Sequence, residues 1–266
     1  MIPPILLVGM GRMGGAMLAG WQELGLAPSM AVDPALPASP GSNVMVVADG
    51  AAIPAGFKPA AVVFAVKPQS AAATLPPYAR FAGEAVMLSI MAGQTIRGIG
   101  SLLGPTAAIV RAMPNTPAAI RQGVTVCVAG PEVSRAQRDL CNGLLAAVGA
   151  VAWVEDEGLI DPVTAVSGGG PAYVFLLVEL LEKSAIEQGI PPDLARLLAR
   201  RTVAGSGALL AASGEDAAAL RVAVTSPKGT TERALAVLMD PQACPALFSR
   251  AIAAAKARSR ELAGCK

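Results

Sequence analysis

The sequence predicts an α/β protein with a doubly wound, mostly parallel sheet in its N-terminal part and only helices in its C-terminal part. Short apolar runs of strand length alternate with helix patterns up to about residue 155. From Pro171 onward only helix patterns occur. The 266 residues suffice for two modest domains, each with its own core, which we place at residues 1–157 and 158–266.

The chain opens with an apolar run, a glycine turn and a helix pattern, in the segment PILLVGMGRMGGAMLAGW at residues 4–21. Gly9, Gly11 and Gly14 satisfy the G-x-G-x-x-G spacing of a Rossmann turn, in which they allow the bend, the approach of a pyrophosphate and close helix packing. Because this turn follows a strand and opens a helix, we expect it to bind a dinucleotide. An ordinary glycine-rich turn is the alternative. The expected cofactor-binding residues here are Gly9, Met10, Gly11, Arg12, Met13 and Gly14.

The second strand pattern, from Ser29, ends in Asp33, twenty-two positions after Gly11. A carboxylate in this place would accept hydrogen bonds from ribose hydroxyls and would repel a 2′-phosphate. No Lys or Arg lies between Asp33 and Gly56 to attract such a phosphate. We therefore expect NADH to be favoured over NADPH, although Arg12 in the turn could reach a phosphate. The alternative is an aspartate that only ends the strand.

Further strands are expected at residues 60–66, 85–90, 108–111, 123–128 and 149–154. Residues 34–50 are either a loop around a short strand at 44–48 or a poorly ordered connection. A helix is expected at residues 134–148. Open α/β sheets bind ligands at the carboxyl ends of their strands. Three segments at such ends are candidates for ligand contact: Lys67 with Pro68, the small-residue turn Met91–Gly93, and the proline-fixed loop that carries Asn115. A surface lysine is the alternative for Lys67.

The C-terminal part contains helix patterns at residues 171–188, 192–212, 215–223, 231–239 and 245–263. The first of these helices, at residues 171–188, carries an apolar stripe on one side. Five helices have few residues with which to build a core of their own. We therefore expect this part of the chain to form a dimer. Two glycine-bearing loops, SGGGP at 167–171 and TSPKGTT at 225–231, open helices. Amides, hydroxyls and a cation make the second loop suitable for a small carboxylate, with N-capping as the alternative.

Composition excludes several classes of function. The net charge of +2 is too small for a main role in binding nucleic acid. The longest apolar runs have about seven residues, whereas a membrane span needs roughly twenty, and no leader pattern is present, so a cytoplasmic protein is expected. Four isolated cysteines and no histidine make a metal site unexpected and remove the commonest general acid or base.

Six motifs, in order, resemble the pyrroline-5-carboxylate reductases over nearly the whole chain: GMGRMG, AVKPQ, RAMPNTPA, AVSGGGPAYVF, TSPKGTT and AKARSREL. The resemblance implies a Rossmann domain, a helical dimerisation domain, dimers that can form larger rings, and NAD(P)H-dependent reduction of 1-pyrroline-5-carboxylate to proline.

The resemblance also implies roles for individual residues. The cofactor would be bordered by Ala65, Val66, Lys67, Pro68, Met91, Ala92 and Gly93, with Asn115 beside the nicotinamide. Glu157 would lie near the imino acid. The carboxylate of the imino acid would be held by Ser226, Gly229, Thr230 and Thr231, from a loop that the opposite subunit can supply. Thr231 is the best candidate for a hydroxyl beside the ring nitrogen, and we count Ser226 with it as catalytic.

Three positions depart from the pattern of the family. Gly169 replaces its serine, Lys228 replaces the first glycine of a pair, and Ala52 stands near an expected asparagine. If residue 228 needs a positive φ, a lysine there strains the loop. The alternatives to the reductase are a reductase of another cyclic imine, a 3-hydroxyacid dehydrogenase and a non-catalytic dinucleotide-binding protein.

Overall fold

The structure, a computed structural model, describes residues 1–35 and 43–264. The chain divides into two compact units. The sheet unit contains residues 1–169 and the C-terminal segment that begins at Ala255, and the helical unit contains residues 170–254. Part of the segment expected to connect the second and third strands, residues 36–42, lies outside the described residues.

The sheet unit contains one eight-stranded sheet. Its strands are β1 (Ile5–Val8), β2 (Ser29–Val32), β3 (Val44–Val47), β4 (Ala61–Phe64), β5 (Val86–Ser89), β6 (Ile109–Met113), β7 (Gly123–Ala129) and β8 (Gly149–Trp153). They lie in the order β3-β2-β1-β4-β5-β6-β7-β8. Every neighbouring pair is parallel except β6 and β7, which are antiparallel. The expected doubly wound, mostly parallel sheet is therefore confirmed.

The central strands β1, β2, β4 and β5 are buried at every position, that is, on both faces, which explains why they read as largely apolar runs. Successive residues of β1 alternate between two core clusters: Ile5 and Leu7 belong to one, Leu6 and Val8 to the other. The first cluster includes the fully buried Trp21, whose indole Nε1 donates to the carbonyl oxygen of Leu144 at 2.8 Å.

The helices of the sheet unit are α1 (Arg12–Glu23), α2 (Ala71–Thr74), α3 (Ile96–Leu103), α4 (Arg135–Ala146) and α5 (Ile160–Val163). Ser134 begins α4 with a capping box, in which its hydroxyl accepts from the Gln137 amide while the Gln137 side chain accepts from the Ser134 amide. A π-helical turn at Thr164–Gly168 follows α5.

The remaining helices are α6 (Gly170–Glu187), α7 (Pro192–Ala212), α8 (Ala217–Ala223), α9 (Thr230–Leu238) and α10 (Cys244–Leu262). All five expected helices are present. No residue of α6, α8 or α9, all within the described chain, is buried, and α7 buries only Ala195 and Ala199. The helical unit therefore leaves most of its apolar side chains exposed in a single chain.

The two compact units divide after Gly169, later than the expected boundary after residue 157. Ile160 and Ala165 are buried, and α5 contacts β6 and β7, so this segment packs with the sheet. Ser259 of α10 returns to the same unit by donating to the Asp161 carboxylate at 2.7 Å.

One helical stretch of the described chain, Glu157–Glu187, has the length and apolar composition that a membrane crossing requires. The sequence-based expectation considered apolar runs, of which the longest has about seven residues, and did not take a helix of this kind into account. It counted only uninterrupted apolar runs, whereas α5, the π-helical turn and α6 follow one another with few charges. Length and composition are weak arguments for a span, because helices that pack on partner helices show the same features.

Candidate functional site

The three glycines of the first turn differ in what surrounds them. Gly9 has φ +97°, and a Cβ added there would lie 2.7 Å from the Ala65 carbonyl oxygen. A Cβ added at Gly14 would lie 2.2 Å from the Gly9 carbonyl oxygen. Within the described part of the chain, a Cβ added at Gly11 would meet no atom of a non-neighbouring residue within 4 Å. The fold itself thus requires glycine at the first and third positions, whereas the space beside Gly11 is open, as the approach of a pyrophosphate requires.

The N-terminus of α1 presents backbone amides beside this open space. Gly11 caps the helix without a side-chain hydrogen bond, and the first turn contains no acidic residue. The amides of the first three helical residues, Arg12, Met13 and Gly14, have no acceptor within the helix, whose ladder begins with Gly15 N–H to the Gly11 oxygen at 2.8 Å. Together with the exposed Arg12 side chain, these amides form a site suited to a phosphate.

Asp33 lies at the carboxyl end of β2 and is bonded directly to the glycine turn. Its Oδ2 accepts from the Met10 amide at 2.8 Å, and its Oδ1 accepts from the Ala35 amide at 2.9 Å. Each oxygen has a second lone pair available for another donor. The carboxylate is therefore beside the turn, where a ribose contact needs it, and it also ends the strand, as the alternative interpretation holds.

The strand register brings several expected contact segments to one edge of the sheet. Val8, Phe64 and Ser89, the last residues of β1, β4 and β5, lie in one row with Arg111 of β6. The residues that follow β1 and β4, Gly9 and Ala65, therefore lie side by side, as the close contact between them requires.

The residues after β4 and β5 differ in how much surface they offer at this edge. Ala65, Val66 and Pro68 are partly exposed and Lys67 is exposed. After β5, Met91 is buried in the core, and a Cβ at Gly93 would lie 3.1 Å from Cβ of Leu262. Of the turn expected to lie flat against the cofactor, only Ala92 is partly exposed, because α10 covers Gly93.

Asn115 joins its loop to two other segments of the sheet unit. Its side-chain oxygen accepts from the Val124 amide at 2.9 Å, and its side-chain nitrogen donates to the Ser167 hydroxyl at 3.3 Å. A 3-10 turn, Thr116–Ile120, begins immediately after it. The amide group is thus used on both sides to hold the loop, and the contact with the nicotinamide stays a prediction.

Glu157 belongs to a partly buried charge cluster that sequence analysis missed. Its Oε1 accepts from Nη1 of Arg111 at 2.9 Å and from the Ile96 amide at 2.8 Å. Nη2 of Arg111 lies 4.0 Å from Oδ1 of Asp161, the oxygen that accepts from Ser259. The one signal in the sequence is a charged residue inside the apolar strand IVRAM.

The loop before α9 is a tight turn in the helical unit. The Gly229 amide donates to the Ser226 carbonyl oxygen at 3.0 Å, and a Cβ added at Gly229 would lie 2.9 Å from that oxygen. Lys228 has φ +62°, and its amide donates to the Glu232 carboxylate. The concern that lysine is strained at this position is therefore confirmed.

This turn leaves only part of the expected carboxylate site available. The Gly229 amide is used within the turn, so it does not point at a ligand as we expected. The amides of Thr230 and Thr231, in the first turn of α9, have no acceptor within the helix. Ser226, Thr230 and Thr231 are all exposed.

The described residues contain no group of three or more His, Cys, Asp or Glu side chains able to hold a metal ion. Two of the cysteine thiols are also unsuited to act as nucleophiles, because they are buried. Burial raises the pKa of Cys127 to about 12 and raises the pKa of Cys141 as well. Both thiols therefore stay protonated near neutral pH and are poor nucleophiles.

Comparison with known proteins agrees with this arrangement. A family model described as pyrroline-5-carboxylate reductase dimerisation matches residues 157–262. A pyrroline-5-carboxylate reductase of Pseudomonas aeruginosa is 35% identical over 274 residues, covering 98% of this chain and 97% of that protein. One of a Synechocystis species is 39% identical over 201 residues, covering 76% of this chain and 74% of that protein.

Solved structures give the same result. The structure of a pyrroline-5-carboxylate reductase from Coxiella burnetii has a TM-score of 0.86 and 32% identity, covering 97% of each chain. Sequence and fold thus match over almost the full length of both chains. The chain belongs to the pyrroline-5-carboxylate reductase family.

Proposed function

We propose that this chain is an oxidoreductase that reduces 1-pyrroline-5-carboxylate to L-proline with NAD(P)H, the last step of proline biosynthesis. The observation that carries the proposal is the match to a pyrroline-5-carboxylate reductase over 98% of the chain. It is supported by the glycine turn, in which the space beside Gly11 is open for a dinucleotide phosphate.

The chemistry suits a chain without histidine. A protonated cyclic imine is electrophilic at carbon, so no protein acid has to polarise it. A bound nicotinamide supplies the hydride, and the electron pair of the C=N bond moves to nitrogen as the new C–H bond forms. What the protein has to supply is position: two ligands must be held with their reacting carbons in contact.

We assign the cofactor to the sheet unit. The amides of Arg12, Met13 and Gly14 bind the pyrophosphate, and Asp33 accepts from a ribose hydroxyl, which favours NADH. Further contacts come from Ala65, Val66, Lys67, Pro68, Ala92 and Asn115. Cofactor use is common to the family, whereas the preference for NADH rests on Asp33 and the lack of a nearby cation after it.

We assign the carboxylate of the imino acid to Ser226, Thr230 and Thr231, with Gly229 shaping their turn and Glu157 near the ring. Thr231 accepts from the N–H of the imine. The helical unit forms the homo-oligomer, so the loop of one subunit can complete the site of another, and dimers can assemble into a ring. We place the enzyme in the cytoplasm.

The direct test is an assay that follows oxidation of NADH and of NADPH with 1-pyrroline-5-carboxylate. Both cofactors should be oxidised, with the higher kcat/KM for NADH. Binding of the cofactors without oxidation would favour the non-catalytic alternative. A higher kcat/KM with a six-membered cyclic imino acid would favour a different substrate ring.

Replacing Thr231 tests its place beside the imine. The variant Thr231→Ala should lower kcat by about a hundredfold, while the dissociation constant for NADH stays within about twofold. Thr231→Ser keeps the hydroxyl and should retain most of the activity. Equal kinetics for Thr231→Ala and the unmodified enzyme would remove this residue from the site.

Replacing Asp33 tests the cofactor preference. Asp33→Ser removes the charge that repels a 2′-phosphate, so the ratio of kcat/KM for NADPH to that for NADH should rise by about tenfold or more. Asp49→Ser is the matched control, because the Asp49 side chain caps a 3-10 turn, where serine also caps. An unchanged ratio of kcat/KM for NADPH to that for NADH in the Asp33 variant would show that this carboxylate does not contact the ribose.

A further inference from the structure

Arg111 is a buried cation at the edge of the sheet that carries the glycine turn. Its side chain is 3% exposed. The register places it in one row with the last residues of β1, β4 and β5. A guanidinium in such a place is costly unless carboxylates compensate it.

The two carboxylates that balance the charge of Arg111 lie at different distances from its guanidinium. Nη1 contacts Oε1 of Glu157 at 2.9 Å, whereas Nη2 is 4.0 Å from Asp161, and neither Nε nor Nη2 makes a hydrogen bond within the described residues. Oε1 of Glu157 also accepts from the Ile96 amide at the start of α3. One oxygen of Glu157 is thus held from two directions by groups of the sheet unit.

The other oxygen of Glu157, Oε2, has no hydrogen bond within the described part of the chain. The Glu157 side chain is 30% exposed, compared with 13% for Asp161. One guanidinium facing two carboxylates leaves this cluster with one net negative charge. The exposed part of that charge is on Glu157, at the edge of the sheet where ligands bind.

We propose that Arg111 is a positioning residue for the imino acid and acts through Glu157. It holds one carboxylate oxygen, so that the negative charge of Glu157 faces a cationic ring, the protonated imine. This inference rests on the proposed function for the identity of the cation. Thr231 still accepts from the imine N–H, and Glu157 contributes electrostatic attraction without taking the proton.

The decisive experiment is a double-mutant cycle with Arg111→Met and Glu157→Gln. Each single variant should raise KM for 1-pyrroline-5-carboxylate by about tenfold, while the dissociation constant for NADH, measured by fluorescence, changes by less than about twofold. The double variant should be no worse than Glu157→Gln, because Arg111 then has nothing left to orient. An additional tenfold loss in the double variant would overturn the proposal, and so would an equal loss of NADH affinity.

Three further variants separate positioning from general stability. Ser259→Ala removes the hydrogen bond to Asp161 but leaves the contact between Arg111 and Glu157, so KM should stay within about twofold. Arg138→Met removes another arginine–glutamate pair of the same unit, at 3.3 Å, and should also leave KM unchanged. Arg111→Lys keeps a cation and should give an intermediate KM. If Arg111→Met does not fold, Arg111→Lys alone and combined with Glu157→Gln repeats the cycle.

Hydrogen exchange at the Ile96 amide supplies a readout without substrate. Exchange should be slow in the unmodified protein and in Ser259→Ala, and faster in Arg111→Met and Glu157→Gln, because the acceptor has moved or weakened. Unchanged exchange in Arg111→Met would mean that Arg111 does not hold Glu157. If the unmodified protein oxidised neither cofactor, the proposed function would fail, and this measurement would still decide whether Arg111 holds Glu157.

Discussion

Lys228 is held in a left-handed backbone conformation, with φ +62°, immediately before the proposed carboxylate site. Such a conformation costs a residue with a side chain about 1–2 kcal/mol. Arg121 has the same φ, but its guanidinium bonds Glu23 at 2.6 Å and the Ala16 oxygen at 3.3 Å. At Lys228 the contact that offsets the strain is a hydrogen bond from its backbone amide to the Glu232 carboxylate. The glycine that relatives are expected to have here would adopt this φ without strain.

Relieving this strain should stabilise the protein. Lys228→Gly should raise the free energy of unfolding by up to about 1 kcal/mol, because the gain at positive φ exceeds the entropy that glycine loses. Lys228→Ala removes the same charge but keeps a Cβ, so its stability should stay within about 0.5 kcal/mol of the unmodified protein. Urea unfolding of the three proteins measures the difference, and equal gains for both variants would assign the effect to charge.

At the scale of elements, the glycines of the segment formed by β1, its turn and α1 have different reasons to be glycine. Packing requires some of them, whereas the proposed ligand is the reason for another. Gly14 allows the helix to approach the turn, since an added Cβ would lie 2.2 Å from the Gly9 oxygen. Gly11 has φ −64°, which any residue can adopt, and open space beside it. Neither the backbone conformation nor a contact within the described chain therefore requires glycine at position 11, and the proposed pyrophosphate is a reason for it that can be tested.

The different roles of Gly11 and Gly14 can be tested by adding one methyl group at each of these two positions. Gly11→Ala should unfold like the unmodified protein but bind NADH about tenfold more weakly, because the methyl group occupies the place of the pyrophosphate. Gly14→Ala should lose about 1–3 kcal/mol of stability through overpacking against the turn. Calorimetry and cofactor titration check both variants. Unchanged NADH affinity in Gly11→Ala would show that no phosphate lies there.

At the scale of the whole molecule, the exposed apolar surface is concentrated in the helical unit. Phe175 is 62% exposed, Leu180 52% and Phe248 59%. Large exposed apolar surfaces mark interaction sites, and the family model that matches residues 157–262 is described as pyrroline-5-carboxylate reductase dimerisation. A helix that packs on a partner subunit has the same apolar composition as the stretch Glu157–Glu187.

A charge placed on this surface should separate the subunits. Leu180→Asp should weaken self-association by about tenfold or more, as measured by sedimentation, because a carboxylate is desolvated at the interface. If the opposite subunit supplies the Thr231 loop, reductase activity should fall with dissociation while NADH binding persists. Leu24→Asp, at a 56% exposed position in the sheet unit, is the control and should leave association unchanged. Equal association of both variants would place the interface elsewhere.

The sequence determined what depends on local sterics and periodicity. Glycine spacing predicted the turn at Gly9–Gly14, and prolines and glycines marked the helix ends. Apolar runs predicted seven of the eight strands and left β3 open. These signals act within a few residues of the chain. They also carried the family resemblance, which comparison with known proteins confirms.

The tertiary structure decided what depends on residues far apart in the chain. It brought Arg111 to Glu157, 46 residues later, and Asp161 to Ser259, 98 residues later, and it covered Gly93 with Leu262. No local pattern specifies such contacts, because which buried charges meet, and which amides stay free, is settled only when the whole chain packs.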